Sequence, residues 1–316
     1  MFLNKLYGIT EIIKTIQSKY LLLVFFTSLC GQINILDLVS RYDLDGTERK
    51  YLLKKEEPYT GEVYYKYNNG QFEFKGMLTD GIQDRHWIWY YENGVKKQEG
   101  FFNNLYQDSI WTYWYPSGKI KQEGEYLGGL KRGTWTFWYQ NGIVSSAEPY
   151  QNGKLQGKMI LWYKSGRKEG EANYFNGLKQ SNDRGWYENG TPQWEFYWKN
   201  NLKDSTQMRW YPNGHQLYVH NYSKGKPNGQ QSEWYPDGVK SLEGEFQNGL
   251  YIGHWTWWYP DSTIALKGNF SLGNPIENWV WIDPDGLVET IEFPGLKWVE
   301  NRIQLWEKEI KDIVDQ

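Results

Sequence analysis

The stretch WTYWYPSGKIKQEGEYLGGLKRG, Trp111–Gly133, decides the fold, because the chain repeats it. With Gly118 of its YPSG turn as origin, steps of 24 residues land on Gly70, Gly94, Gly118, Gly142, Gly166, Gly190, Gly214, Gly238, Ser262 and Gly286. Three residues before each origin stands a tyrosine, from Tyr67 to Tyr259, and then Asp283. Four residues before stand Trp114, Trp138, Trp162, Trp186, Trp210, Trp234 and Trp258. A second turn residue follows the origin by eleven: Gly81, Gly129, Gly153, Gly177, Asn201, Gly225, Gly249 and Gly273. A fixed short period means stacked supersecondary units, each burying its apolar face against its neighbours.

Within a unit, alternation in WTYWYPSG places Trp111, Tyr113 and Tyr115 on one face of a strand and Thr112 and Trp114 on the other. KIKQEGEY runs back. Proline stands two residues before the origin in five turns, at Pro116, Pro212, Pro236, Pro260 and Pro284. Its fixed φ suits the first central position of a type I turn, and a left-handed glycine then completes a three-residue loop with a bulge. Ser262 breaks that rule. The expected fold is all-β, an elongated tandem array of about ten hairpins. The seven tryptophans from Trp114 to Trp258 are read as an aromatic ladder, either structural or ligand-binding.

The flanks lack the period. Residues 1–31 resemble an export signal: Lys14 and Lys19 precede the apolar run YLLLVFFTSL, too short to span a bilayer, and Cys30 follows. Cleavage, retention as an anchor and lipidation of Cys30 are the three readings of that segment, and export to the envelope is favoured over a cytoplasmic chain. As the sole cysteine, Cys30 excludes an intramolecular disulfide. Residues 32–57 read as an N-terminal cap, residues 58–290 as the repeats, and residues 291–316 as a C-terminal amphipathic capping helix. In that helix Val299, Ile303, Trp306, Ile310 and Ile313 share one stripe.

Aromatic residues make up 18% of the chain, with 19 Trp and 26 Tyr, and net charge is −3. A mildly acidic body excludes broad nucleic-acid or anionic-lipid binding, which needs a basic footprint. Membrane contact is expected only through the N-terminal segment. Seventeen residues after the origin, Trp87, Trp111, Trp135, Trp255 and Trp279 recur, but Met159, Asp183, Gln207 and Gln231 replace them in the middle. Glu169-Gly170 also comes two residues early. Drift in a tolerant stack is one reading of this irregularity; a kink or partner seat is the other.

The opening PYTG of Pro58–Gly61, the recurring Y-x-N-G, the E-G-x-Y/F elements (Glu123–Tyr126, Glu243–Phe246) and the G-x-W elements (Gly133–Trp135, Gly253–Trp255) resemble the bacterial MORN-variant repeat. That repeat occurs in proteins labelled YwqK-family antitoxins. The resemblance covers residues 58–290 and implies a non-catalytic stack of hairpins that binds another macromolecule. It supplies no catalytic residues.

Site chemistry is sparse. His86 and His254 occupy one repeat position, while His215 and His220 could meet across a hairpin without a third ligand, so no metal or cofactor is expected. Glu99, Glu123 and Glu243 recur beside Lys97, Lys121 and Lys240 and read as cross-strand charge pairs. No nucleophile or phosphate-loop motif stands in a suitable context, so no enzyme is expected. Two functions remain: a scaffold for a protein partner, or an envelope protein whose exposed aromatics stack on polysaccharide.

Overall fold

A computed structural model describes residues 31–44 and 46–314, so Cys30 and nearly all of the export-like segment lie outside the described residues. The chain is an all-β array of tandem hairpins ending in one helix, Leu296–Val314, here α1. It divides into two compact units, residues 1–132 and 133–316.

Each first turn is a three-residue loop. In YPSG, Tyr115 N–H donates to Lys119 O at 2.8 Å and Gly118 N–H donates to Tyr115 O at 2.9 Å. Gly118 has φ +85°, the left-handed region that glycine enters without a Cβ penalty. The other origin glycines lie between +81° and +94°, and Ser262 adopts +72° in the same role. The second turns are two-residue loops with both positions left-handed, as at Asn176 (φ +50°) and Gly177 (φ +82°), which is type I′ geometry.

The Y-x-N-G motif stitches one hairpin to the next. Tyr67 Oη donates to Tyr90 O at 2.9 Å, Tyr91 to Trp114 O at 2.8 Å, and Tyr187 to Trp210 O at 2.8 Å, always 23 residues ahead. The asparagine does two jobs. Asn93 Oδ1 accepts from Val95 N within its own turn at 3.1 Å, and its Nδ2 donates to Pro116 O in the next turn at 3.0 Å. Burial raises the phenol pKa values of Tyr139, Tyr163 and Tyr211, which keeps those donors protonated. The repeated aromatics therefore hold backbone to backbone.

A third left-handed residue recurs nine positions before each origin, from Arg85 (φ +57°) through Gly253 (φ +64°) to Glu277 (φ +60°). This bulge, not anticipated from sequence, explains the glycine of Gly133-Thr134-Trp135 and Gly253-His254-Trp255. It also turns the preceding carbonyl out of the strand ladder. In two regular hairpins the tryptophan two residues further on recovers it: Trp87 Nε1 donates to Asp84 O at 3.2 Å and Trp255 Nε1 to Ile252 O at 3.1 Å.

In the first unit, Ile33–Asn34 pairs parallel with Val63–Tyr64, and the hairpin Leu38–Tyr42/Glu48–Leu52 forms a separate two-stranded sheet. Leu38, Tyr59, Val63, Leu78 and Trp87 form the core beneath them. In the second unit α1 lies on the face of the last hairpins. Val299 and Trp306 are buried among Trp255, Trp257, Tyr259, Leu266 and Trp279. Trp306 Nε1 donates to Trp258 O at 3.0 Å, and Tyr259 Oη donates to Glu309 Oε2 at 3.1 Å.

Candidate functional site

The tryptophans at 114, 138, 162, 186, 210, 234 and 258 are half-buried, and none belongs to the core. Their backbone carbonyls take the tyrosine stitches at Trp114, Trp162, Trp186, Trp210, Trp234 and Trp258. Lysines sit over three of the rings, Lys96 at 5.4 Å from the Trp114 centroid, Lys168 at 4.8 Å from Trp186 and Lys240 at 6.0 Å from Trp234. The deeply buried row is the other one: Trp87, Trp111, Trp135, Trp255 and Trp279 are 0–2% exposed.

Glycine makes room for that row. A Cβ on Gly76 would fall inside the Trp87 ring, and the same holds for Gly100 with Trp111, Gly244 with Trp255 and Gly268 with Trp279. This is the physical meaning of the E-G element, whose glycine lies beneath an indole eleven residues later. A second ring, two residues on in the same strand, extends the layer: Trp87–Trp89 at 5.5 Å, Trp111–Tyr113 at 6.1 Å and Trp255–Trp257 at 5.6 Å between centroids. Every repeat with glycine at the first position has tryptophan at the second, including Gly124 and Trp135. The four central repeats lose both together: Glu148 with Met159, Ala172 with Asp183, Phe196 with Gln207, and His220 with Gln231. That coupling is a signal the sequence itself carries.

In two of those central hairpins, both in the second unit, rings stand on the returning strand instead. Trp194 stacks with Phe196 at 6.4 Å and Tyr218 with His220 at 4.3 Å, again two residues apart. Glycine moves in the opposite sense, since a Cβ on Gly185 would fall inside the Trp194 ring. Gln207, fully buried, takes over the indole's hydrogen bonds: its Nε2 donates to Tyr197 O at 2.8 Å and Asp204 O at 2.9 Å. These are the same positions, ten and three residues back, that Trp255 reaches through Glu245 O and Ile252 O. The vacated positions on the outgoing strands now carry Asp183, Arg209 and Glu233.

Cross-strand register places Leu161, Gly170, Gly185, Trp194 and Arg209 in one row, and Met159, Ala172, Asp183 and Phe196 in the next. Between them opens a cleft of about 380 Å³, lined also by Glu171, Tyr174, Lys179 and Trp198. Asp183, 6% exposed, is compensated twice, by ion pairing with Lys179 and by Trp194 Nε1 donating to Oδ1 at 2.8 Å. It thereby fixes the wall ring in place. Lys168 hydrogen-bonds Glu171 and holds its carboxyl below the usual carboxylate range, against burial that pushes the other way, with Lys158 adding at 3.5 Å. Trp198 Nε1 is buried without an acceptor.

Elsewhere the acidic repeats differ from the cross-strand pairing expected of them. Glu99 pairs with Lys96 at 2.6 Å and Glu243 with Lys240, each along its own strand, and Glu123 accepts from Thr112 Oγ1 at 3.0 Å. The histidines disperse. His215 Nδ1 lies 2.8 Å from Pro236 O, His220 Nε2 2.8 Å from Glu233 Oε1, and His254 Nδ1 3.2 Å from Asn269 Oδ1, while His86 stacks on Phe101. Among the described residues no group of three or more His, Cys, Asp or Glu could hold a metal ion, and no helix is long and apolar enough to cross a membrane.

Three consecutive stretches, residues 86–104, 107–127 and 131–152, match the family model described as MORN repeat variant, so the chain is similar to MORN-type repeats over those hairpins. No curated protein matches the chain. Among solved structures, the "Crystal Structure of TcdB2-TccC3-Cdc42" aligns at 9% identity and a TM-score of 0.17, over 82% of this chain and 17% of that one. The "Crystal Structure of TcdB2-TccC3" aligns at the same identity and TM-score over 82% of this chain and 19% of that one. The chain thus spans less than a fifth of the length of either.

Proposed function

We propose that the chain is a non-catalytic scaffold that binds another protein, seated on the second-unit face between Met159 and Glu233. One observation carries the reading. Regular hairpins fill this face with their own tryptophans, whereas the central ones place Asp183, Arg209 and Glu233 at ring positions. A charge there is a poor exchange for a packed ring on stability grounds alone. Sites that keep such groups are where a fold gives up stability for recognition. The stitching tyrosines and the buried tryptophans are occupied in holding hairpins together, which counts against a row of aromatics awaiting sugar rings.

The test is a photo-cross-linking residue at position 161, in the cleft wall, and at the repeat-equivalent position 113 as control, in cells that make the protein. A discrete protein adduct from position 161 and none from position 113 is the expected outcome. Equal labelling at both, or adducts to glycan alone, overturns it; glycan adducts would favour the polysaccharide reading instead.

A further inference from the structure

We propose that the central cleft takes a carboxylate: it receives an acidic side chain of the partner polypeptide, with an adjoining apolar residue on its aliphatic and aromatic wall. This rests on the reading of that face as the partner's seat. At about 380 Å³ the cleft suits one or two side chains, not a folded surface.

Its charge is the first argument. On the face that carries the cleft stand Lys179 and Arg209, against Asp183, on a chain whose net charge is −3. Lys179 is engaged with Asp183, and Lys158 and Lys168 serve Glu171 on the alternate face of the strands. Arg209 has no carboxylate within ion-pair distance among the described residues. Glu233, two strands away along its row, is held by His220 at 2.8 Å. Glu195 closes on Arg184 at 2.7 Å. A guanidinium left open beside an indole presents a planar donor fork matched to a carboxylate.

A donor without an acceptor is the second. Trp198 Nε1 lies in the cleft wall, buried and unpaired. A buried indole N–H in that state is relieved by an oxygen from outside, such as a carboxylate or a peptide carbonyl. The third is the remaining lining. Met159, Leu161, Ala172 and the stacked Trp194–Phe196 pair offer apolar atoms that a hydroxyl-covered sugar would leave mismatched. An acidic residue next to an apolar one fits both halves.

The experiment titrates the full chain, by calorimetry, with three probes: N-acetyl-glutamyl-phenylalanine amide, its glutaminyl counterpart, and a glucuronate-containing disaccharide. The acidic dipeptide should bind roughly ten-fold or more tighter than the neutral one, as a charge-assisted hydrogen bond implies. Arg209→Gln, an exposed position, should erase that preference and leave the neutral dipeptide unchanged. Trp194→Ala should weaken both. Equal affinity for the two dipeptides, or a preference that survives Arg209→Gln, overturns the proposal, and so does binding of the disaccharide in place of both. If no dipeptide binds while position 161 still cross-links a protein, the seat stands and the carboxylate fails.

Discussion

The regular hairpins around Trp87, Trp111, Trp255 and Trp279 and the central ones between Met159 and Gln231 share turns, stitches and period, yet pack the same face in opposite ways. In the regular set the outgoing strand carries the rings and the returning strand carries glycine. In the centre Trp194, Phe196, Tyr218 and His220 ride the returning strand, and Gly185 clears space on the outgoing one. The same bulge carbonyl is served by the indole N–H of Trp255 in one set and by the Gln207 amide in the other. A repeat stack therefore tolerates a change of residue at the ring position, and where Met159 and Asp183 offer no indole the layer opens into the cleft.

Removing a ring should separate the two regions most. Trp111→Ala is expected to cost about 3–5 kcal/mol, because it empties a buried site and strips a donor from Phe101 O. Gln207→Ala should cost less, about 1–3 kcal/mol, mainly through two carbonyls left bare. Denaturant melts giving equal losses would break the distinction.

Next in size is the glycine. Gly100→Ala places a methyl inside the Trp111 ring and should cost about 1–3 kcal/mol. Made together with Trp111→Gln, which imitates the central pairing, the methyl should cost far less than in the parent. A coupling of about 1–2 kcal/mol in the double-mutant cycle is expected, and strict additivity would sink the exchange rule.

How much of this could be read beforehand is shown by two tryptophan rows. Turn glycines, hairpin period and the terminal helix were legible because each follows from local backbone chemistry. The buried row was not. Trp114 and its equivalents recur more often than Trp111 and its equivalents, yet frequency does not report depth; Gly100 beneath Trp111 does. The central site was legible only as irregularity. Asp183, Gln207 and Arg209 acquire meaning from the strands beside them, and a cleft depends on side-chain volumes summed across three hairpins.

Smaller effects sharpen the picture. Trp186→Ala, at a half-buried ring, should cost about 1–2 kcal/mol, well under the Trp111 loss. Ser262→Gly should stabilise by about 0.5–1 kcal/mol, since serine is held at φ +72°. A thermal melt showing destabilisation would overturn the turn assignment.

The smallest change is in acid. Glu171 titrates below its ordinary 4.5, so its contribution is complete above that pH and fades as pH falls through the lowered value. Glu171→Gln should remove that part of the acid sensitivity and leave melting near pH 7 little altered, as read by melts across pH 3–7.

The tyrosine stitches also set an order of manufacture. Each phenol finds its acceptor 23 residues downstream, Tyr67 at Tyr90 and Tyr91 at Trp114. A ribosome delivers the donor first and the acceptor about one hairpin later. A nascent chain thus carries one raw edge that travels with synthesis, and each new turn closes the hairpin before it. The edge stops moving at Tyr259, whose hydroxyl meets both Ile282 O and Glu309 of α1, so a helix made after the hairpins is the piece that ends the series.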